Sequence, residues 1–117
     1  MSVAEPHVQS ILLGDAIERA PAAVLVADED GRHVAANSFA CEMLGYTREE
    51  LLRLSVSDVA AVPQAAGEFA ELLESGTRHG RSRLRRKDGS ELDFVYRAGE
   101  TAIAGMTYYI AVGWPAE

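Results

Sequence analysis

The apolar positions of this chain change period along its length, and each change marks an element. Residues 8–20 hold Val8, Ile11, Leu12, Ala16 and Ile17 at near-helical spacing, a stripe interrupted by Gly14 and closed by Pro21. Residues 1–7 carry no pattern and predict a frayed start. A helix this short is marginal alone and has to pack on something. The run from Ala23 to Ala27 is apolar throughout and reads as a strand. Asp28-Glu29-Asp30-Gly31 is a turn, since glycine takes positive φ freely and aspartates bond their own backbone. Residues 32–36 return as the partner strand, and Asn37 stands where a helix N-cap belongs. Phe39, Met43 and Leu44 give that helix an apolar face, and Gly45 stops it. Thr47-Arg48-Glu49-Glu50 has the form of a capping box that opens a second helix buried through Leu51, Leu52 and Leu54.

Downstream, residues 55–62 read as one loose helical turn capped by Ser55 or Ser57. Pro63 opens a better helix to Ser75, with Ala65, Phe69, Leu72 and Leu73 on one face and Gly76 as its stop. The period then falls to two. Strands are predicted over 78–87, 91–98 and 107–112, with turns at Asp88-Gly89 and around Gly99-Glu100 or Gly105. Leu92, Phe94 and Tyr96 share one face and belong inside. The last strand does not alternate: Tyr109, Ala111 and Gly113 lie on one side, Tyr108, Ile110, Val112 and Trp114 on the other. Both sides are apolar, so both have to be covered. The order of elements is that of an α+β domain: a five-stranded antiparallel sheet, helices on one face and an N-terminal flanking helix.

Composition narrows the function. A chain of 117 residues with 48% hydrophobic positions builds one domain with a modest core. A net charge of −7 favours solubility and argues against nucleic acid as a partner. No apolar run reaches membrane-spanning length, no signal peptide is visible, and the lone Cys41 suits a reducing cytoplasm. The serines lack a nucleophile-elbow setting, and no zinc-type His or Cys spacing exists. Asp28, Glu29 and Asp30 read as a solvated turn, so no enzyme and no metal site is expected. His7, His33 and His79 have no nameable partners, and Cys41 reads as a small buried hydrophobe. Arg78, Arg81, Arg83, Arg85, Arg86 and Lys87 place six of eleven basic residues within ten positions. Arg81, Arg83 and Arg85 share parity and predict a charged strand face, with docking to an acidic surface as the alternative.

The sequence of punctuation resembles the PAS domain family: Asp30-Gly31, then Asn37, then Gly45-Tyr46-Thr47-Arg48-Glu49-Glu50-Leu51. Arg86-Lys87-Asp88-Gly89-Ser90 matches the family's late hairpin turn, and Tyr108 to Gly113 its last strand. The likeness covers roughly residues 10–114, which divides the chain into a tail and flanking helix, 1–20, and a PAS domain, 21–115. The resemblance also tests cofactors. Val56 stands where the blue-light (LOV) branch has its flavin-bonding cysteine, and Leu84, Phe94 and Gly113 stand where that branch holds the ring with amides. Haem-binding relatives usually draw an axial histidine from the helix before the third strand; here only His79, just beyond it, is a substitute. Trp114 could stack on a non-covalent flavin, but its parity points it outward. No cofactor is expected, and an unknown small apolar ligand is the open alternative.

What the resemblance implies is a cavity lined by Val26, Phe39, Met43, Leu54, Val56, Val59, Phe69, Leu73, Leu84, Phe94, Tyr96 and Tyr109, with the few hydroxyls orienting a mostly apolar guest. The opposite surface, made of Val8, Ile11, Leu12, Tyr108, Ile110, Val112 and Trp114, is expected to bury itself in a homodimer. The family's usual exit sequence is replaced by Gly113-Trp114-Pro115, and no output domain follows, so the chain reads as the sensory piece of a longer signalling protein. A ligand-free interaction module is the alternative.

Overall fold

The computed structural model describes residues 2–61 and 65–116. Its frame is a five-stranded antiparallel sheet in the order β2-β1-β5-β4-β3. The strands are β1 (Ala23–Ala27), β2 (His33–Ala36), β3 (Thr77–Arg85), β4 (Glu91–Ile103) and β5 (Met106–Pro115). The helices α2 (Ser38–Leu44), α3 (Arg48–Leu51), α4 (Val56–Val59) and α5 (Ala65–Ser75) lie between β2 and β3 in the chain, and α1 (Pro6–Glu18) precedes them all. Pro63, read as the helix opener, and the side chain of Ala65 lie outside the described residues.

The local punctuation acts as its chemistry dictates. Asn37 caps α2 by accepting from the Ala40 N–H at 3.1 Å, and Gly45 ends it in the left-handed conformation at φ 79°. In the capping box of α3, Thr47 Oγ1 accepts from the Glu50 N–H and Glu50 accepts from the Thr47 N–H at 2.9 Å. Lys87 Nζ reaches Glu50 at 2.6 Å, clipping the β3–β4 turn to α3, and with Thr47 it holds the Glu50 carboxyl down at about 2. Asp58 accepts from the Ser55 N–H at 2.8 Å and from its hydroxyl, fixing the start of α4.

Several boundaries differ from the sequence expectation. The helix α1 begins at Pro6, where a proline is tolerated because the first N–H groups have no intrahelical partner, and it runs through Gly14 without a break. It buries no residue along its length, although a helix this short was expected to pack on something. Strand β4 does not turn at Gly99 but continues to Ile103, because Gly99 keeps its register with both Thr77 and Ile110. The turn falls at Ala104-Gly105, the second of the two places the sequence offers, with both residues at positive φ. Strand β3 stops at Arg85 rather than residue 87, since the Arg86 N–H turns to the Ser90 carbonyl.

Parity in the sheet decides which side chains form the core. Ala23, Leu25 and Ala27 of β1 face the helices, as do Leu92, Phe94 and Ala98 of β4 and Tyr109 and Gly113 of β5. The buried interior falls into two clusters. One gathers Leu25, Ala40, Met43, Leu44, Leu51, Val59, Leu84, Leu92 and Phe94 beneath α2–α4; the other joins Leu72, Ala98 and Tyr109 under α5. On the sheet the row Ala36–Leu25–Ala111–Ala98 contains three alanines. Side chains that small leave space between the sheet and the helix above them.

Candidate functional site: a cavity between the two core clusters

That space is a cavity of about 120 Å³ at the seam of the two clusters. Leu25, Ala27, Ala98 and Ala111 floor it, Phe69 and Leu72 of α5 cover it, and Val56, Val59 and Ala60 close the side toward α4. Its aromatic wall is Phe69 set edge-on to Tyr109, with ring centroids 5.8 Å apart, and Phe94 stacked with Tyr96 at the same separation. The α4 wall is zipped to the sheet by main-chain bonds from Val56 N–H to Gly31 O and from His33 N–H to Leu54 O. Gly31 has to be glycine here: at φ 81° a side chain is strained, and a Cβ would meet Val56 at 3.0 Å and Phe69 at 3.3 Å.

Of the residues expected around the cavity, Val56, Val59, Phe69, Leu84, Phe94, Tyr96 and Tyr109 line it. Five do not. Val26 points to the opposite face of the sheet, because its neighbours Leu25 and Ala27 face the helices. Leu73 is 40% exposed; one helical step of about 100° puts Leu72 inward in its place. Phe39 and Met43 line a separate shallow depression with Glu42, Arg86 and Pro115, and Leu54 packs on the cluster beneath α2–α4.

The expected hydroxyls, Tyr96 and Tyr109 with Ser82, line the cavity; Arg78 and His33 were not expected there. Arg78 was grouped with the surface arginines, yet it shares parity with Leu84 and turns inward. Its Nε donates to the Tyr96 hydroxyl at 2.7 Å, and its guanidinium pairs with Glu71 and, at 3.7 Å, with Glu68. Burial pushes the Tyr96 phenol up, and Arg78 partly offsets this. Arg81, Arg83 and Arg85 do face outward as a stripe, and two of them make cross-strand pairs: Arg83 with Asp93 at 3.2 Å and Glu91 at 3.5 Å, and Arg85 with Glu91 at 3.8 Å; Arg86 instead donates from Nε to the Met43 carbonyl at 3.1 Å. His33, read as an unpartnered strand residue, is buried at the cavity's edge, with Nδ1 3.2 Å from the Leu51 carbonyl. His79 is exposed on β3 and does not line the cavity, and burial pushes the Cys41 thiol up, away from the reactive range.

The surface expected to meet a second chain lies on the other side. Tyr108, Ile110, Val112 and Trp114 share the outer face of β5, where Trp114 is 51% exposed. Ile110 also touches the cavity at its edge. Val8 is half-buried, and Ile11 and Leu12 are exposed on α1. No described helix is long and apolar enough to cross a membrane.

One antiparallel sheet, covered on a single face by short helices with a partly open cavity between them, defines the class of domain. A PAS domain family model matches residues 21–110, and the chain belongs to that family. No curated protein matches the sequence. Among solved structures, the PAS domain of an HTR-like protein from Haloarcula marismortui is similar at 22% identity and TM-score 0.82, covering 94% of this chain and 93% of that one. A PAS domain from a two-component sensor histidine kinase aligns at 16% identity and TM-score 0.84, over 96% and 100% of the two chains. A LOV protein from Rhodobacter sphaeroides aligns at 17% identity and TM-score 0.76, over 93% and 68%. Likeness at these identities concerns the fold. It agrees with the expected α+β architecture of a five-stranded antiparallel sheet with helices on one face.

Proposed function

We propose that this PAS domain is a cytoplasmic, non-catalytic sensory module: a small, mostly apolar ligand enters the cavity, and a homodimer built on the outer sheet face passes the change to an output domain. The observation that carries the reading is the alanine-floored cavity between the two core clusters. Protein interiors ordinarily close to crystal-like density, and a space of this size left open in so small a core calls for an occupant. A volume of about 120 Å³ is well below the roughly 300–1,000 Å³ of sites for drug-sized ligands, so it favours a small guest over haem or flavin. Gly113 points the same way. A side chain there would meet the Phe94 ring at 2.6 Å, so the space a flavin-holding amide needs is filled by this phenylalanine.

Ligand binding matters for signalling only if it favours one arrangement of the domain over another. The parts that touch both ligand and solvent are α4 and α5, and β5 carries cavity residues on one face and the apolar surface on the other. A sensor histidine kinase that contains a similar domain supports a kinase-type output as the partner class. The test of ligand binding is denaturation of freshly purified protein followed by mass spectrometry. A small molecule released from the wild type and missing from Ala98→Leu is the expected result. Equal blanks from both, with unchanged stability on exposure to small aromatic and aliphatic compounds, would favour a ligand-free interaction module. The test of assembly is light scattering: Trp114→Glu is expected to convert a dimer into a monomer while the circular dichroism spectrum is retained. A wild-type monomer at tens of micromolar overturns that half of the proposal.

A further inference from the structure

Resting on the reading of the cavity as a ligand site, we propose that His33 selects the ligand, its bare Nε2 accepting a hydrogen bond from a small single-ring aromatic that carries an O–H or a ring N–H. The imidazole is only 3% exposed, and it borders the cavity that Val56, Val59 and Phe69 also line. Two bonds, one to the end of α3 and one to the α3–α4 connection, hold it. Its main-chain N–H donates to the Leu54 carbonyl at 3.1 Å, and Nδ1 lies 3.2 Å from the Leu51 carbonyl. A carbonyl only accepts, so Nδ1 carries the proton, and the neutral ring presents Nε2 as a lone-pair acceptor. Burial favours the neutral ring, with Asp58 on α4 the charge that opposes it.

Nε2 has no protein partner among the described residues. No sealed side-chain polar atom there lacks a partner, so this nitrogen borders open space, and His33 is among the residues that line the cavity. A buried acceptor in that state is satisfied either by water or by a donor on the occupant. The rest of the lining argues for the occupant's chemistry. Among the described residues the one guanidinium at the cavity, Arg78, already faces Glu68 and Glu71, so an anion gains little from it. The walls are aromatic and aliphatic, and the volume of about 120 Å³ is near that of an engineered apolar cavity of ~150 Å³ that holds benzene. One ring fits, with one donor to spend on His33.

Phenol and toluene have nearly the same shape and differ in that donor. Each is titrated into protein labelled with ¹⁵N at histidine, for the wild type and for His33→Phe. The affinity ratio of phenol to toluene is expected to be about tenfold higher in the wild type than in the variant, the worth of one hydrogen bond to a buried acceptor. In the wild type, the Nε2 resonance is expected to move upfield on saturation with phenol and to stay in place with toluene. If His33→Phe does not fold, the wild-type resonance decides. An equal ratio in both proteins, or an Nε2 signal unmoved by bound phenol, overturns the role of His33 and leaves the cavity reading intact. If neither compound binds, both fall together.

Discussion

Asn37→Ala is expected to cost about 3 kcal/mol of stability or more, lowering the melting temperature of a domain this size by roughly 12 °C. The residue is legible in the sequence as a helix cap, but the cap is the smaller part of its work. Its side-chain oxygen accepts from the Val24 N–H at 2.9 Å as well as from Ala40, and its side-chain nitrogen donates to the carbonyls of Ile17 at 2.8 Å and Ala22 at 2.9 Å. Its main-chain N–H bonds the Val24 carbonyl at 3.0 Å. One buried amide therefore ties the end of α1, the start of β1 and the start of α2. Alanine takes this partner from the Val24 and Ala40 N–H groups and the Ala22 carbonyl, while the Ile17 carbonyl keeps the Ala20 N–H, and each unpaired buried group costs about 1 kcal/mol or more. Asn37→Asp separates this account from simple capping. Aspartate is as good an N-cap as asparagine, yet it has no donor for Ile17 and Ala22 and adds a buried charge. Chemical denaturation should rank Asn37→Asp with the alanine variant; near-wild-type stability for the aspartate variant would mean that capping was the whole role.

Gly113→Ala should do comparable damage for a different reason. A Cβ at this position would lie 2.3 Å from the Val95 carbonyl oxygen, 2.6 Å from the Phe94 ring and 2.8 Å from the Tyr96 Cβ. The nearest of these is main chain of the paired strand β4, so it cannot swing aside as a side-chain tip would. Overpacking ordinarily costs about 1–3 kcal/mol, and a backbone collision within a strand pair belongs at or beyond the upper end. Thermal unfolding should show a loss of about 10 °C or more. Gly14→Ala, in open space on α1, is the matched control and should be neutral or slightly stabilising. If both substitutions leave the melting temperature alike, the strand pairing described for β4 and β5 is wrong.

Much of the architecture is legible in the sequence alone because its signals are contiguous. Asn37, Gly45, the Thr47–Glu50 box and Asp88-Gly89 each fix the chain within a few residues of themselves, and each does so in the fold. The membership of the two faces of β5 follows from residue parity, although both faces are apolar. The composition of the cavity is harder to read, for identifiable reasons. Strand β1 is Ala-Val-Leu-Val-Ala, apolar at every position, so nothing in it says which residues face the helices; Leu25 and Ala27 do, and Val26 does not. Adjacent leucines at 72 and 73 leave the rotation of α5 undetermined until it is packed against the sheet. Gly99 looks like a turn because glycine serves turns and close strand pairing alike, and here it is paired on both sides. Arg78 is different: it lies an even number of residues from Leu84, and counting along β3 is enough to turn it inward. His33 has no such local mark. Its partner Leu51 is eighteen positions away, and only the tertiary fold brings the two together.

The central claim is that a real, enterable space lies under α5. The most direct measurement is a crystal structure of the protein under xenon pressure, since xenon occupies apolar cavities without needing polar contacts. A xenon peak bounded by Ala98, Ala111, Phe69 and Leu72 is the predicted result. Side chains collapsed into that volume, with no peak between the sheet and α5, would contradict the account.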